Sequence, residues 1–198
     1  METNSNIVNI KVSTKLLLPF SLDSLFIHLN KVNKCCHVKK VNNMIIVKSA
    51  VHVYVILASK PLFSNTTDVN KFHCNITGIS NIVEIERARD YFLFLFFPGI
   101  DHSQESIKID SITSKFDYGG GINLHSLYAN IEDSSIINKK LNLHTFPSLK
   151  IRFEKVGCAQ LYSSGRCILL GQKSENDLKI VKSKLDSMIS NTVNRNVL

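Results

Sequence analysis

Hydrophobic and polar positions alternate along much of this chain, and the alternation is broken at regular places by helical spacing. Ile7 to Lys15 alternates and predicts a strand. Ser21-Leu22-Asp23-Ser24-Leu25-Phe26 predicts a short helix, and Asn43 to Lys48 and Val51 to Leu57 predict β-branched strands. Asn81-Ile82-Val83-Glu84 has capping-box spacing and opens a helix through Ile85, Ala88, Tyr91 and Phe92. The same order then returns. Ile107 to Phe116 is a strand, Ile122 to Tyr128 a short helix, and Glu132 to Asn142 reads as a polar loop. Leu149 to Phe153, Gly157 to Tyr162 and Arg166 to Leu170 alternate as strands, the last two joined by Ser163-Ser164-Gly165. Ser174 to Asp177 is a second capping box. The final helix puts Leu178, Val181, Leu185, Met188 and Ile189 on one face and turns Lys179, Lys182, Lys184 and Asp186 away.

An order repeated at about a hundred residues implies two copies of one unit. The polar, turn-rich stretch from Pro98-Gly99 to Ser106 marks the joint, giving repeats at residues 1–98 and 99–198. The fold class this predicts is α+β. One difference stands out: the first copy carries an insertion, Pro61 to Phe72, expected as an exposed hairpin loop. The aromatic run Tyr91 to Phe97 is expected to be buried.

Composition narrows the function. The 198 residues carry a formal charge of +8, and 44% are hydrophobic, which suits a folded chain with a polyanionic partner. Lys and Arg outnumber Asp and Glu by 11 to 6 in residues 1–98 and by 13 to 10 in residues 99–198, so the charge sits on both copies and in no tail. The five cysteines have no zinc or redox spacing and are expected as reduced thiols. The seven histidines are scattered, with no metal spacing. No nucleophile elbow or Cys–His dyad is present, and Gly119-Gly120-Gly121 lacks the lysine of a phosphate loop, so no enzyme, cofactor or metal is expected. The longest apolar run, Tyr91 to Pro98, is too short for a membrane span, and Met1 is not followed by a secretory leader.

The second half holds the sharpest motif. Phe146-Pro147 precedes Leu149 and Arg152, and Tyr162-x-Ser164-Gly165-Arg166-x-Ile168-Leu169-x-Gly171-x-Lys173 follows. An aromatic at a strand head, a second before a Ser-Gly turn and a basic residue after it suit a sheet that enters a DNA minor groove. These positions, with Ile122-x-Leu124-x-x-Leu127, resemble the second repeat of the TATA-box-binding protein family, itself a standard example of a minor-groove sheet reader. Val12-Ser13-Thr14, Leu22-Asp23, Thr77-Gly78 and Ala88-Arg89-x-Tyr91 resemble its first repeat.

The resemblance implies a curved, saddle-like antiparallel sheet of two pseudo-symmetric repeats, with helices on the convex side and DNA on the concave side. It implies wedges at Phe146 and Tyr162. In the first repeat Leu57 stands at one wedge position and Lys40 or Val41 at the other. The family's central asparagines fall on Ile10 and Ser111, and a concave threonine becomes Leu170, with Thr77 kept. Val12, Thr113 and Ile168 are expected to line the groove, and Arg152, Arg166, Ser59 and Ser164 to meet phosphates. The implied function is a nuclear transcription initiation factor, or one at a viral transcription site, that bends AT-rich, TATA-like DNA and nucleates a preinitiation complex. Its implied partners are transcription factor IIB-like and IIA-like proteins and RNA polymerase machinery. The residues before Phe146, Asn142 to Thr145, carry no carboxylate for a IIB-like contact. The alternative is an interaction scaffold of the same fold with weak or lost DNA binding, and a third is a binder of RNA–DNA hybrids.

Overall fold

A computed structural model of the chain describes residues 6–32, 35–59, 70–100, 106–144 and 147–195. These fall into two compact units, Asn9–Asp110 and Ser111–Leu198 with Met1–Val8. Phe146 and most of the 61–72 insertion lie outside the described residues.

The first unit contains β1 (Asn6–Leu18) from Asn9 onward, α1 (Leu22–Val32), β2 (His37–Val41), β3 (Met44–Lys48), β4 (Val53–Ala58), β5 (Asn70–Ile79) and α2 (Glu84–Phe96). Its strands lie in the order β2-β3-β4-β5-β1, all antiparallel. Alternation decides which side chains are buried. Ile10, Val12, Leu16, Leu18, Ile45, Val47, Ile56, Cys74 and Ile76 are fully buried and form one face with α1 and α2. Each such Leu or Ile contributes roughly 1.5–3 kcal/mol by leaving water. Tyr54 joins them, stacked on Phe92 at 4.6 Å and donating its hydroxyl to the Ala88 carbonyl at 3.1 Å.

The second unit contains β6 (Lys108–Asp117) from Ser111 onward, α3 (Leu124–Asn130), β7 (Ile136–Asn142), β8 (Ser148–Phe153), β9 (Gly157–Tyr162), β10 (Arg166–Gln172) and α4 (Glu175–Arg195). Its order is β6-β10-β9-β8-β7, again antiparallel. Leu149, Ile151, Phe153, Ala159, Leu161, Cys167, Leu169 and Ile112 form the buried face, under α3 and α4. Strand, helix, four strands, helix thus occurs twice.

Local chemistry explains the helix starts. Ser174 Oγ accepts from the Asp177 amide at 3.1 Å, so the Ser174 cap forms, while the Asp177 carboxylate reaches one residue further back and accepts from the Lys173 amide at 3.0 Å. The first does not. α2 begins after Val83, which makes no side-chain cap, and Asn81 Oδ1 instead accepts from the Val83 amide at 3.1 Å in a tight turn.

Three expectations change. Residues 132–142 are not all loop: β7 occupies their second half as an edge strand, its lysines serving an exposed edge better than apolar residues would. Tyr91 to Phe97 is only partly buried. Phe92, Leu93, Phe96 and Phe97 enter the core, whereas helical spacing turns Phe94, 76% exposed, and Tyr91 to solvent. Lys182, Lys184 and Asp186 do not simply point away from the core. Asp186 accepts from Tyr118 at 2.9 Å and Lys182 at 2.9 Å, and Lys184 reaches Asp133 and Ser135. Burial and the Asp186 bond push the Tyr118 phenol well above its ordinary pKa.

Candidate nucleic-acid interface

Among the described residues, the strands of each unit have a second face that no helix of the same unit covers. In the second unit this open face follows from the register. Tyr162 sits beside Ser148, Gln160 between Lys150 and Ile168, and Cys158 between Arg152 and Leu170. Beyond them Lys140 faces Lys150, Lys115 faces Ile168, and Thr113 faces Leu170. Residues at paired positions share a face, so these side chains form one surface. Lys115, Lys140, Lys150, Arg152 and Arg166 are exposed on it. Ile168, Leu170 and Tyr162 are half-buried between them, and Ser111 and Thr113 are half-buried on β6. Five cations around an apolar floor fit a polyanion that also offers apolar edges.

Tyr162 is held in place. Gln160 donates its amide to the Tyr162 oxygen at 2.9 Å and to Ser148 Oγ at 3.1 Å. Beside it a cleft of about 810 Å³ is lined by Lys115, Asp117, Ser164, Arg166 and Ile168. The turn that carries Ser164 is fixed from outside. Gly165 has φ +92°, its amide bonds the Tyr162 carbonyl at 3.0 Å, and its carbonyl accepts from the Tyr118 amide at 3.0 Å. A Cβ there would lie 2.4 Å from the Gly120 carbonyl oxygen, so the position requires glycine. Arg166 and Asp117 approach at 3.9 Å while both remain largely exposed, which leaves the guanidinium available to a ligand. Burial raises the Cys158 thiol, against the lowering pull of Arg152 and Lys150, and burial pushes the Cys167 thiol up to about 12. These two are protonated thiols, poorly suited to nucleophilic chemistry.

In the first unit the open face runs in three rows. Val41, Met44, Leu57 and His73 form one, Lys39, Ile46, Val55 and Asn75 the next, and His37, Lys48, Val53 and Thr77 the third. Val41, Met44 and Leu57 make an apolar corner where the resemblance put wedges. Of the two candidates for the second wedge position, Val41 is the one on this face; Lys40 turns to the helix side and pairs with Asp23 of α1. Ser59 is half-buried at the end of β4, its amide bonded to the Lys71 carbonyl at 3.0 Å.

One expected groove residue is placed elsewhere. Val12 is fully buried among core side chains, as is Ile10. On β1 the alternation puts Asn9, Lys11, Ser13 and Lys15 on the other face, with Ser13 beside Asn75 and Lys15 beside His73. A shift of one residue exchanges the faces of a strand. Hence Asn9, whose side-chain Oδ1 accepts from the Gly78 amide at 2.8 Å, is on the open face, and Ile10 is not. Phe146 lies outside the described residues. Sequence reading also passed over Lys115, Lys140, Lys150 and Gln160, whose signal was the alternation of β6 to β9. Among the described residues no cluster of His, Cys, Asp and Glu suits a metal, and no helix is long and apolar enough to cross a membrane.

Two five-stranded units of one design, each with helices on one face and a partly basic open face on the other, define a class of repeated α+β sheet proteins. The comparisons with known proteins point within that class. Residues 106–192 match the family model of transcription factor TFIID (or TATA-binding protein, TBP). The chain is also similar in fold to Methanococcus jannaschii TBP, with a TM-score of 0.73 and 22% identity over 95% of this chain and 99% of that one. No curated protein matches in sequence. The family match covers residues 106–192, and the likeness to the solved structure extends the fold over nearly the whole chain.

Proposed function

We propose that this chain is a DNA-binding transcription initiation factor that lays its open sheet faces against the minor groove of AT-rich, TATA-like duplex. The observation that carries this is the second unit's open face, where five exposed cations surround Tyr162, Ile168 and Leu170. Lysine and arginine at the margin neutralise phosphates, while apolar and aromatic groups at the centre meet sugar and base edges. Phe146 and Tyr162 act as the wedge pair, with Arg152, Arg166, Ser59 and Ser164 on phosphates and Ser111, Thr113 and Thr77 along the groove. The bend is greatest at the Phe146/Tyr162 end, because the first unit offers Val41, Met44 and Leu57 instead of aromatics. The helices face IIB-like and IIA-like factors and the polymerase, nucleating a preinitiation complex in the nucleus or at a viral transcription site.

Gel-shift titration against AT-rich duplex tests this reading. Wild type binds with steep salt dependence, and the Phe146→Ala/Tyr162→Ala double variant binds at least tenfold more weakly, a loss of about 1.4 kcal/mol or more. Equal binding by the two proteins would reject the wedges. The apolar corner of the first unit favours a second reading, a transcription scaffold of this fold that has lost DNA binding. Recovery of general transcription factors from nuclease-treated extract, with no duplex retained at low salt, would support it.

A further inference from the structure

Gln160 is an uncommon residue for the centre of an apolar floor. It is 91% buried, on the open face, flanked by Lys150 and Ile168 on the neighbouring strands. Its neighbours along β9, Ala159 and Leu161, are fully buried on the opposite face, so the direction of its side chain is fixed by the strand. Its amide nitrogen is committed: Nε2 donates to Ser148 Oγ at 3.1 Å and to the Tyr162 oxygen at 2.9 Å. A primary amide has two N–H donors and one carbonyl acceptor. In the orientation the structure gives the amide, Nε2 is engaged inside the sheet by both hydroxyls, and the group left for a ligand is the carbonyl Oε1, an acceptor.

That polarity selects among base pairs. The minor-groove floor of an A·T pair, in either orientation, offers acceptors only, adenine N3 and thymine O2. An acceptor facing them gains nothing and loses water. A G·C pair adds one donor there, the guanine N2 amino group. Resting on the reading of the open face as a minor-groove surface, we propose that Gln160 is a base-reading residue whose Oε1 accepts from a guanine N2 amino group. The preferred site of this chain therefore contains a G·C pair at the position Gln160 covers, within an otherwise AT-rich sequence. Tyr162 and Ser148 are positioning residues, since their hydroxyls hold the amide nitrogen.

The test uses a set of AT-rich duplexes, each with one G·C pair at a different position, and matched duplexes with inosine for guanine. Inosine lacks only the N2 amino group, so the pair isolates that contact. At one position, or two adjacent ones, wild type binds the guanine duplex roughly fivefold or more tightly than the inosine duplex, the scale of a single good base contact. Gln160→Leu removes the acceptor and brings that ratio to about one, while all-A·T duplex is still bound. Gln160→Glu keeps an acceptor, so it keeps the ratio at lower affinity, and it serves as the second variant where Gln160→Leu does not fold. Inosine equal to or better than guanine at every position in wild type would overturn the proposal, as would a guanine preference that survives Gln160→Leu. Loss of binding to every duplex would instead reject the DNA-binding reading itself.

Discussion

Lys140 and Lys150 stand directly opposite each other on β7 and β8, both exposed on the open face of the second unit. Like charges at facing positions of an antiparallel pair repel, at a cost of roughly 0.2–1 kcal/mol. A polyanion seated on that face turns the cost into attraction. Lys150→Gln is therefore expected to raise stability by a few tenths of a kcal/mol up to about 1 kcal/mol, read as a higher urea midpoint. The same change lowers the slope of log affinity against log salt by about one, because one phosphate contact is lost. A stabilised variant with an unchanged slope would place the DNA backbone away from Lys150.

Tyr162 presents its ring to the open face while its oxygen takes a hydrogen bond from Gln160 at 2.9 Å. Tyr162→Ala removes the ring and is expected to weaken duplex binding about tenfold or more, the scale of one lost base–aromatic contact. Tyr162→Phe keeps the ring and loses the hydroxyl that takes the neutral Gln160 hydrogen bond, so affinity stays within a few-fold of wild type. Fluorescence anisotropy on one labelled duplex compares the three proteins. Equal losses for Ala and Phe would mean that the hydroxyl, not the ring, makes the contact.

The second unit was largely legible in the sequence because its strands alternate cleanly and its turns carry glycine and serine. Leu149, Ile151 and Phe153 face in and Lys150 and Arg152 face out, as period two requires. β1 was harder. Residues 6–18 hold apolar groups on both faces, with Leu17 exposed on one and Ile10, Val12 and Leu16 buried on the other. Lining up on Val12-Ser13-Thr14 sends Val12 to the groove, whereas the polar series Lys11, Ser13, Lys15 sends it to the core. The polar series decides, since burying two lysines without partners costs far more than exposing a valine. β7 escaped notice for a related reason: an edge strand needs no strong apolar face. The selective role argued for Gln160 was not readable at all. It depends on which end of the Gln160 amide its neighbours meet, and that is given by the orientation of the side chain in the fold, with Nε2 on Ser148 and Tyr162.

Gly165 couples the turn that carries Ser164 and Arg166 to the loop at residues 118–122. Any side chain there meets the Gly120 carbonyl oxygen at 2.4 Å and must also adopt φ +92°. Gly165→Ala is expected to cost about 1–3 kcal/mol, read from urea unfolding. Duplex binding should weaken beyond what the stability loss explains, because Tyr162 and Arg166 flank the turn. A variant as stable as wild type would show that the 118–122 loop gives way.

Asp133 ties the start of β7 to α4. Its carboxylate accepts from Ser135 Oγ at 2.5 Å and the Ser135 amide at 2.7 Å, and from Lys184 at 3.2 Å. The Ser135 hydroxyl, then the Ser135 amide and Lys184, hold its pKa below the ordinary carboxylate value, against the upward pull of partial burial. A carboxyl whose folded pKa is depressed stabilises the fold above its unfolded value, near ~3.9, and that stability is lost as pH falls through the lower folded value. Asp133→Asn is thus expected to cost about 1–2 kcal/mol at neutral pH, the scale of hydrogen bonds to a charged group. The gap from wild type should hold down to about pH 5 and narrow progressively below about pH 4. Urea midpoints of the two proteins across that range measure it directly. A gap that stays constant into strong acid would mean that shape, not charge, makes Asp133 stabilising, and that Lys184 contributes through its methylene stem alone.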